Sequence, residues 1–337
     1  MSGWCLLTLA NTINIAADLA AMSDAVKLVI GGPRGFYSIV IGISCLLLQI
    51  FIPYKRYVHI LKWLTLSLFA YVGTVFASHV DWSSVIRETF LPHISLDANY
   101  VLLVVGMFGT TISPYLFFWQ AAQEIEEQHR HHAKPLFRTP ANAGPELRRI
   151  RIDTLTGMAF SSLISLAIVF ATAATLHANG ITDIQTSSQA AEALRPIAGD
   201  LAFALFALGI VGTGILAVPV LAGSAAYAIT EMMGRSGSLA ARPMQAKFFY
   251  GAIAGTTLVG GLINMGGIDP AKALYWAAVV NGILAAPLMV VMMLIVRNKK
   301  AMGDLVLPHR ATLWGWAATA VMAAATAIFF WFVFFPG

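Results

Sequence analysis

Three polar side chains, Asn11, Asn14 and Asp18, interrupt the first long apolar stretch of the chain. Their spacings of three and four residues place all of them on one face of a helix. Within hydrocarbon a carboxylate costs about 2.5–3.5 kcal/mol on insertion scales, so Asp18 is expected to face other helices or a water-filled cavity. These residues alone leave two interpretations open: a proton or cation site, and a hydrogen-bond network that packs helices.

A second polar cluster surrounds Pro114, where residues 109–115 read Gly-Thr-Thr-Ile-Ser-Pro-Tyr. Proline lacks an N–H, so Pro114 leaves the carbonyl of Thr110 without its helical partner. Freed carbonyls and the ends of half-helices hold cations in many transporters. We therefore predict a cation site at Thr110, Thr111 and Ser113. The alternative is a plain proline kink whose freed carbonyl is satisfied by threonine hydroxyls.

Other polar or small residues in the apolar stretches give weaker signals. Asn281 is either a ligand or an interhelical hydrogen-bonding group, and both interpretations stay open. Gly209, Gly212 and Gly214 favour close helix packing. Three loop histidines are a weak metal candidate, since no carboxylate or Cys stands at metal-ligand spacing: His129, His131 and His132.

The elements that must position these residues are membrane-spanning helices. Of the 337 residues, 58% are hydrophobic and only 11% are charged, whereas a soluble domain has about 25% charged residues. Nine stretches approach or exceed the ~20 apolar residues that one span needs. They are Trp4–Met22, Gly35–Ile52, Tyr57–Ala77, Tyr100–Gln120, Leu155–Leu176, Leu201–Ile229, Phe248–Met265, Ala273–Val296 and Thr312–Phe335.

The positive charges of the loops predict how these spans are oriented. With a cytoplasmic N-terminus, sixteen Lys and Arg residues fall in cytoplasmic loops and five on the opposite side. That asymmetry follows the positive-inside rule and supports an odd number of spans. We therefore expect one transmembrane domain over residues 1–337, with 124–153 as a cytoplasmic loop. The expected location is the cell membrane, as a multi-pass protein of a bacterial inner membrane.

Two of the segments resemble a known family. Residues 11–22 resemble the third transmembrane helix of NRAMP-type divalent metal transporters, and residues 109–120 resemble their broken sixth helix. The resemblance implies an all-α membrane protein with the LeuT-type fold of inverted repeats. Spans one to nine would correspond to helices three to eleven, so two further helices are expected upstream of Met1.

The sequence departs from the family pattern at several places. Ser113-Pro114-Tyr115 stands where the family has Met-Pro-His, so an oxygen replaces a thioether and a tyrosine that does not titrate near neutral pH replaces a histidine. Asp18 matches the family, but Ala21 stands in place of its Glu. These departures indicate a divergent NRAMP-related branch in which metal choice and proton coupling are open.

The resemblance implies a secondary transporter of divalent cations, of the manganese, iron or magnesium class, working by alternating access. Alternatives are an amino-acid carrier of the same fold and a non-transporting membrane binding or scaffold protein. We expect no enzyme activity, cofactor or nucleic-acid partner; the partners are a divalent metal ion as substrate and the lipid bilayer, and the oligomeric state is open. The metal ligands would be Thr110, Thr111, Ser113 and Asn281, and the proton or ion path Asp18, Asn14, Asn11 and Tyr115.

Overall fold

The computed structural model describes residues 2–52, 65–78, 82–91, 97–130, 143–181, 187–235, 243–266 and 269–335, together with positions 63, 80, 95, 136, 184, 237–239 and 241. Among these described residues every regular element is a helix and no strand occurs. The composition predicts this all-α architecture, because spanning helices satisfy their own backbone hydrogen bonds in hydrocarbon.

The described helices follow one another with short connections. In chain order they are α1 (Ser2–Ile30), α2 (Arg34–Phe51), α3 (Phe69–Ala77), α4 (Trp82–Phe90), α5 (Ala98–Thr111), α6 (Pro114–Arg130), α7 (Ala143–Thr175), α8 (Ser187–Glu192), α9 (Arg195–Ala198), α10 (Ala202–Met232), α11 (Lys247–Met265), α12 (Pro270–Ile295), α13 (Lys299–Met302) and α14 (His309–Phe334). Three 3₁₀ turns lie at Thr65–Leu68, His177–Asn179 and Gly199–Leu201.

The chain divides into two compact units. Unit one comprises Met1–Ile94 and Phe160–Ala277, and unit two comprises Ser95–Ala159 and Ala278–Gly337. Helices α7 and α12 each contribute residues to both units. The predicted metal ligands and Tyr115 fall in unit two, whereas Asn11, Asn14 and Asp18 fall in unit one, so the residues of each unit are described separately.

Helix α1 is the centre of unit one and packs against α2, α10 and α11. Its side chains Ile15, Leu19 and Met22 are fully buried. Glycines on the neighbouring helices make room for them: a Cβ at Gly214 would lie 2.5 Å from the Met22 sulfur, and one at Gly260 would lie 2.7 Å from Ile15 Cγ2. The predicted packing role of the α10 glycines is thus confirmed at Gly214.

The connection between α1 and α2 is built from Gly-Gly-Pro. Gly31 and Gly32 have φ values of 78° and 87°, a left-handed conformation that terminates α1 and favours glycine. Gly31 N–H donates to Lys27 O at 2.8 Å, and Pro33 occupies the N-cap of α2. Tyr37 in the first turn of α2 donates its hydroxyl to Gly31 O at 2.7 Å, which fixes the turn.

Eight described helical segments are long and apolar enough to cross a membrane. They coincide with eight of the nine predicted spans, which makes the chain a multi-pass integral membrane protein. The predicted span Tyr57–Ala77 is not among them: residues 57–62 lie outside the described part of the chain, and the remainder contributes a shorter apolar helix, Leu66–Ala77. The count of nine therefore stays a prediction.

The predicted loop at 124–153 is partly helical. Helix α6 continues to Arg130 and α7 begins at Ala143. Arg149 of α7 lies 2.8 Å from Glu124 of α6, which joins the two helices, and 2.6 Å from Glu146 of its own helix. His131 and His132 lie outside the described residues, and the side chain of His129 is also outside them.

Candidate functional site

The segment around Pro114 interrupts a membrane-spanning helix in unit two. Helix α5 ends at Thr111 and α6 begins at Pro114, which leaves Ile112 and Ser113 as the only non-helical residues between them. Ile112 has φ −110° and ψ 69°, outside the helical region, and its N–H donates to Phe108 O at 2.7 Å. The interruption predicted from the missing N–H of Pro114 is therefore present.

Ser113 is the buried polar group of this interruption. Its side chain is 7% exposed, and its hydroxyl lies 3.3 Å from both the Gly109 and the Thr110 carbonyl oxygens. It can donate its one proton to the carbonyl that Pro114 frees, and its lone pairs remain available to accept a proton or to bind a cation. The hydroxyl and the neighbouring carbonyls thus form a compact set of oxygen atoms.

The two threonines behave differently from the serine. Thr110 donates its hydroxyl to Gly106 O at 2.9 Å and Thr111 donates to Met107 O at 2.6 Å, and both side chains are exposed. The plain-kink interpretation assigned the freed carbonyl to threonine hydroxyls, and that assignment is wrong because Ser113 approaches the carbonyl instead. Of the three predicted hydroxyl ligands, Ser113 is the buried one.

Helix α12 contacts α5 through backbone atoms one turn before the interruption. A Cβ added at Gly109 would overlap Ala278 O and the backbone nitrogen of Gly282, and one added at Gly282 would overlap Val105 O. Asn281 is 4% exposed and precedes Gly282, so it lies on the helix that this contact holds against α5. Helices α5 and α12 can cross this closely because both positions are glycine.

An apolar layer adjoins this crossing in unit two. Phe108 of α5 and Ile112 of the interruption pack against buried Ala285, Ala286 and Met322 of α12 and α14. Apart from the thioether sulfur of Met322 these side chains offer no heteroatom, so the oxygen donors near the interruption are hydroxyl, amide and backbone groups. Among the described residues no group of three His, Cys, Asp or Glu side chains could hold a metal ion.

Tyr115 is the second residue of α6 and is half-buried. It follows Pro114 directly, at the point where the second half-helix of this span begins. The position matches the sequence-based expectation that it lies beside the interruption. Its role along a proton or ion path remains a prediction.

The polar residues of α1 lie in unit one and point toward different neighbours. Asn11 is fully buried, and its Nδ2 donates to Leu221 O of α10 at 3.1 Å, while its Oδ1 is buried and has no partner among the described residues. Asn14 Nδ2 donates to Ala10 O of its own helix at 2.8 Å. Asp18 is half-buried. That Asp18 faces other helices or a water-filled cavity stays a prediction from its cost in hydrocarbon.

Gln49 is a polar residue that the sequence reasoning did not select. It lies near the end of α2, is 7% exposed, and has no partner for either amide atom among the described residues. Its signal in the sequence is the one that singled out Asn11, namely an amide within an apolar stretch. An unpartnered buried amide costs roughly 1–3 kcal/mol, so it is a second candidate for contact with water or an ion in unit one.

Comparison with known proteins decides the family. The sequence profile described as natural resistance-associated macrophage protein-like (Nramp) matches residues 1–332. The chain belongs to the Nramp family. The resemblance inferred from the two motifs is thereby confirmed.

Several curated Nramp relatives share modest identity with the chain. The divalent metal cation transporter MntH of Caldanaerobacter subterraneus subsp. tengcongensis is 25% identical over 307 residues, covering 86% of this chain and 68% of the relative. The protein of the same name from Klebsiella pneumoniae strain 342 is 24% identical over 261 residues, covering 76% and 56%. That from Verminephrobacter eiseniae is 29% identical over 150 residues, covering 43% and 31%. The matched regions thus cover between 31% and 68% of the length of these relatives.

Membership in the Nramp family agrees with the expectations that the protein is not an enzyme and carries no cofactor. The relatives are named as transporters and not as enzymes, and in such a protein the metal is cargo rather than a resident cofactor.

Proposed function

We propose that this Nramp chain carries the cation-handling part of a secondary transporter for divalent metal ions. The observation that carries the proposal is the interruption of one membrane-spanning segment at Ile112-Ser113, with the buried Ser113 hydroxyl among carbonyl oxygens. The names of the relatives add support, since each is called a divalent metal cation transporter. Thr110, Thr111 and Asn281 would complete the ligands in the transporting state.

The donor atoms favour hard cations. Hydroxyl, amide and carbonyl oxygens suit manganese and magnesium, and magnesium can bind through a few contacts while keeping its own waters. Cadmium prefers soft sulfur ligands, whereas Ser113 offers an oxygen at the place where the family has a methionine. Cadmium therefore gains nothing from this residue. The substrate class we infer is therefore manganese, iron or magnesium, with cadmium disfavoured.

The transport cycle would use alternating access within a LeuT-type arrangement of inverted repeats. From the apolar stretches and the positive-inside rule we infer nine spans in this chain, a cytoplasmic N-terminus and a location in a bacterial inner membrane. Asp18, Asn14, Asn11 and Tyr115 would lie along the path of the proton or the ion. Tyr115 stands where the family has histidine, so we infer little proton movement at neutral pH.

Uptake into proteoliposomes tests the proposal. The full-length protein is reconstituted with a manganese-sensitive dye inside, and Ser113→Ala is compared with Ser44→Ala. Ser44 is the matched control, since its hydroxyl bonds its own helix through Val40 O at 2.7 Å in an apolar span. We expect Ser113→Ala to lower manganese uptake about 10–100-fold, as for other groups that position a metal, and Ser44→Ala to leave it unchanged.

The outcomes separate the candidate functions. Wild-type uptake no faster than in protein-free liposomes contradicts metal transport. Uptake of a radiolabelled amino acid in place of manganese would favour the amino-acid carrier, and neither activity would favour a binding or scaffold protein.

A further inference from the structure

An apolar groove runs between α2 and α11 on the outside of unit one. Its volume is about 220 Å³. The apolar side chains along its two walls are Ile39, Ile43 and Leu46 of α2 and Leu258, Leu262 and Met265 of α11. Five of these six are more than 45% exposed, and an exposed apolar groove on a membrane-spanning pair of helices faces lipid.

Two glycines create the depth of the groove. A Cβ at Gly42 would lie 4.0 Å from Leu19 Cδ1, and one at Gly261 would lie 3.9 Å from the same atom. Leu19 of α1 is fully buried and lies beneath the two glycines. A Cβ at either position would make only ordinary van der Waals contact with Leu19, so a side chain there has space to extend into the groove.

A basic polar cluster lies at one end of the groove. Arg34 Nη2 donates to Asn264 Oδ1 at 3.1 Å, and Asn264 Nδ2 donates to Ser38 Oγ. Asn264 is 5% exposed, so the guanidinium is held in place by a buried amide. Ser38 belongs to both the cluster and the groove lining, which makes the two features continuous.

This end of the groove is at the boundary of the membrane. Arg34 is the first residue of α2, and Phe36 and Tyr37 follow it with their rings 5.7 Å apart. Aromatic and basic residues at the end of a span mark the headgroup level of a bilayer. From Ser38 to Leu46 the groove follows α2 for eight residues, or about 12 Å, which is close to the ~15 Å of hydrocarbon in one leaflet.

We propose that the groove between α2 and α11 binds one acyl chain of an anionic phospholipid whose phosphate is bound by Arg34. The apolar walls match the chain, their length matches one leaflet, and the guanidinium complements the charge of the headgroup. The site is separate from the interruption at Ser113 and does not depend on any transport activity.

Native mass spectrometry of the full-length protein with added phosphatidylglycerol or phosphatidylcholine tests the proposal. We expect wild type to retain one more phosphatidylglycerol per chain than Gly42→Leu, which fills the groove. Gly251→Leu is the matched control, because a Cβ at Gly251 of α11 meets nothing within 4 Å. Equal lipid retention by wild type and Gly42→Leu would overturn the proposal, as would a change in oligomer mass, which would assign the groove to a second copy of the chain.

The same two phospholipids test whether the charge of Arg34 contributes to binding. Arg34→Gln should weaken phosphatidylglycerol binding about fivefold, the effect of one basic residue near a membrane surface, and leave phosphatidylcholine binding unchanged. Arg87→Gln removes the same charge from exposed α4 and should change neither. Equal effects of the two substitutions would contradict the assignment of the phosphate to Arg34.

Photocrosslinking of the unmodified protein gives a readout that does not require a folded variant. Phosphatidylglycerol with a photoreactive acyl chain should label peptides covering 38–46 and 257–265. Labelling confined to other helices would overturn the proposal even if Gly42→Leu failed to fold.

Discussion

Gly109 of α5 and Gly282 of α12 bring two helices into backbone contact within unit two. A Cβ on Gly109 would overlap the backbone of Ala278 and Gly282, and a Cβ on Gly282 would overlap Val105 O. The contact lies one turn before the interruption at Ile112-Ser113, so it fixes the position of the half-helix that ends there. The geometry of the proposed cation site therefore depends on this crossing.

Substitution of either glycine by alanine should therefore destabilise the protein and disturb the site. We expect Gly109→Ala and Gly282→Ala to cost about 1–3 kcal/mol through overpacking, seen as a lower midpoint of thermal unfolding in detergent. Gly157→Ala in α7 is the matched control, since a Cβ there meets nothing within 4 Å. It should be neutral or stabilising by up to ~1 kcal/mol. Equal midpoints for all three variants would mean that the crossing is not close.

Substitution of Asp18 distinguishes between its two interpretations, a proton or cation path and a hydrogen-bond network that packs helices. Asp18→Asn keeps the size of the side chain and its hydrogen-bonding ability while removing the charge. If an ion or proton uses the carboxylate, metal uptake should fall about tenfold or more, because an interaction with a charged group contributes about 1.5–3 kcal/mol. Asp24→Asn removes the same charge near the end of α1 and should leave uptake intact. Full uptake by Asp18→Asn would assign Asp18 to packing.

The helical spans could be predicted well from the sequence, because the apolar composition and the length of a segment are enough to identify a membrane-spanning helix. The interruption at Pro114 also followed from a single physical fact, the missing N–H. Which hydroxyl approaches the freed carbonyl could not be predicted, since Ser113, Thr110 and Thr111 all stand within reach along the chain. The lipid-facing groove was hidden for another reason: Gly42, Gly261 and Leu19 come together only through the packing of three helices.

Labelling of single cysteines tests the nine-span topology. In a protein with Cys5 and Cys45 replaced by Ala, an impermeant maleimide should label Glu88→Cys in intact cells and Gly144→Cys only after permeabilisation. Both positions are exposed in the structure. If the segment Leu66–Ala77 does not cross the membrane, the pattern reverses, with Gly144→Cys labelled from outside.

Asp97 at the N-cap of α5 should make the start of that helix sensitive to acid. The Ser95 hydroxyl, followed by the Tyr100 N–H at 2.9 Å, lowers the pKa of Asp97 below its ordinary value. Because the folded-state pKa is lowered, its stabilising contribution is present above the ordinary value, about 4, and is lost as pH falls through the lowered pKa. Hydrogen exchange at Val101, corrected for the intrinsic rate, should lose protection with acid in wild type and not in Asp97→Asn. The same pH dependence in both proteins would exclude Asp97 as its source.

The most direct test of the account is the preference between manganese and cadmium at Ser113. The full-length protein is reconstituted in proteoliposomes with a pH-sensitive dye inside, and cadmium is added as a competitor of manganese uptake. We expect wild type to take up manganese with little acidification and with weak competition by cadmium, because the site offers oxygen ligands. Ser113→Met should strengthen cadmium competition about tenfold, equivalent to ~1.4 kcal/mol. Strong cadmium transport by wild type with matching acidification, or no change on Ser113→Met, would show that the interruption after α5 does not hold the ion as proposed.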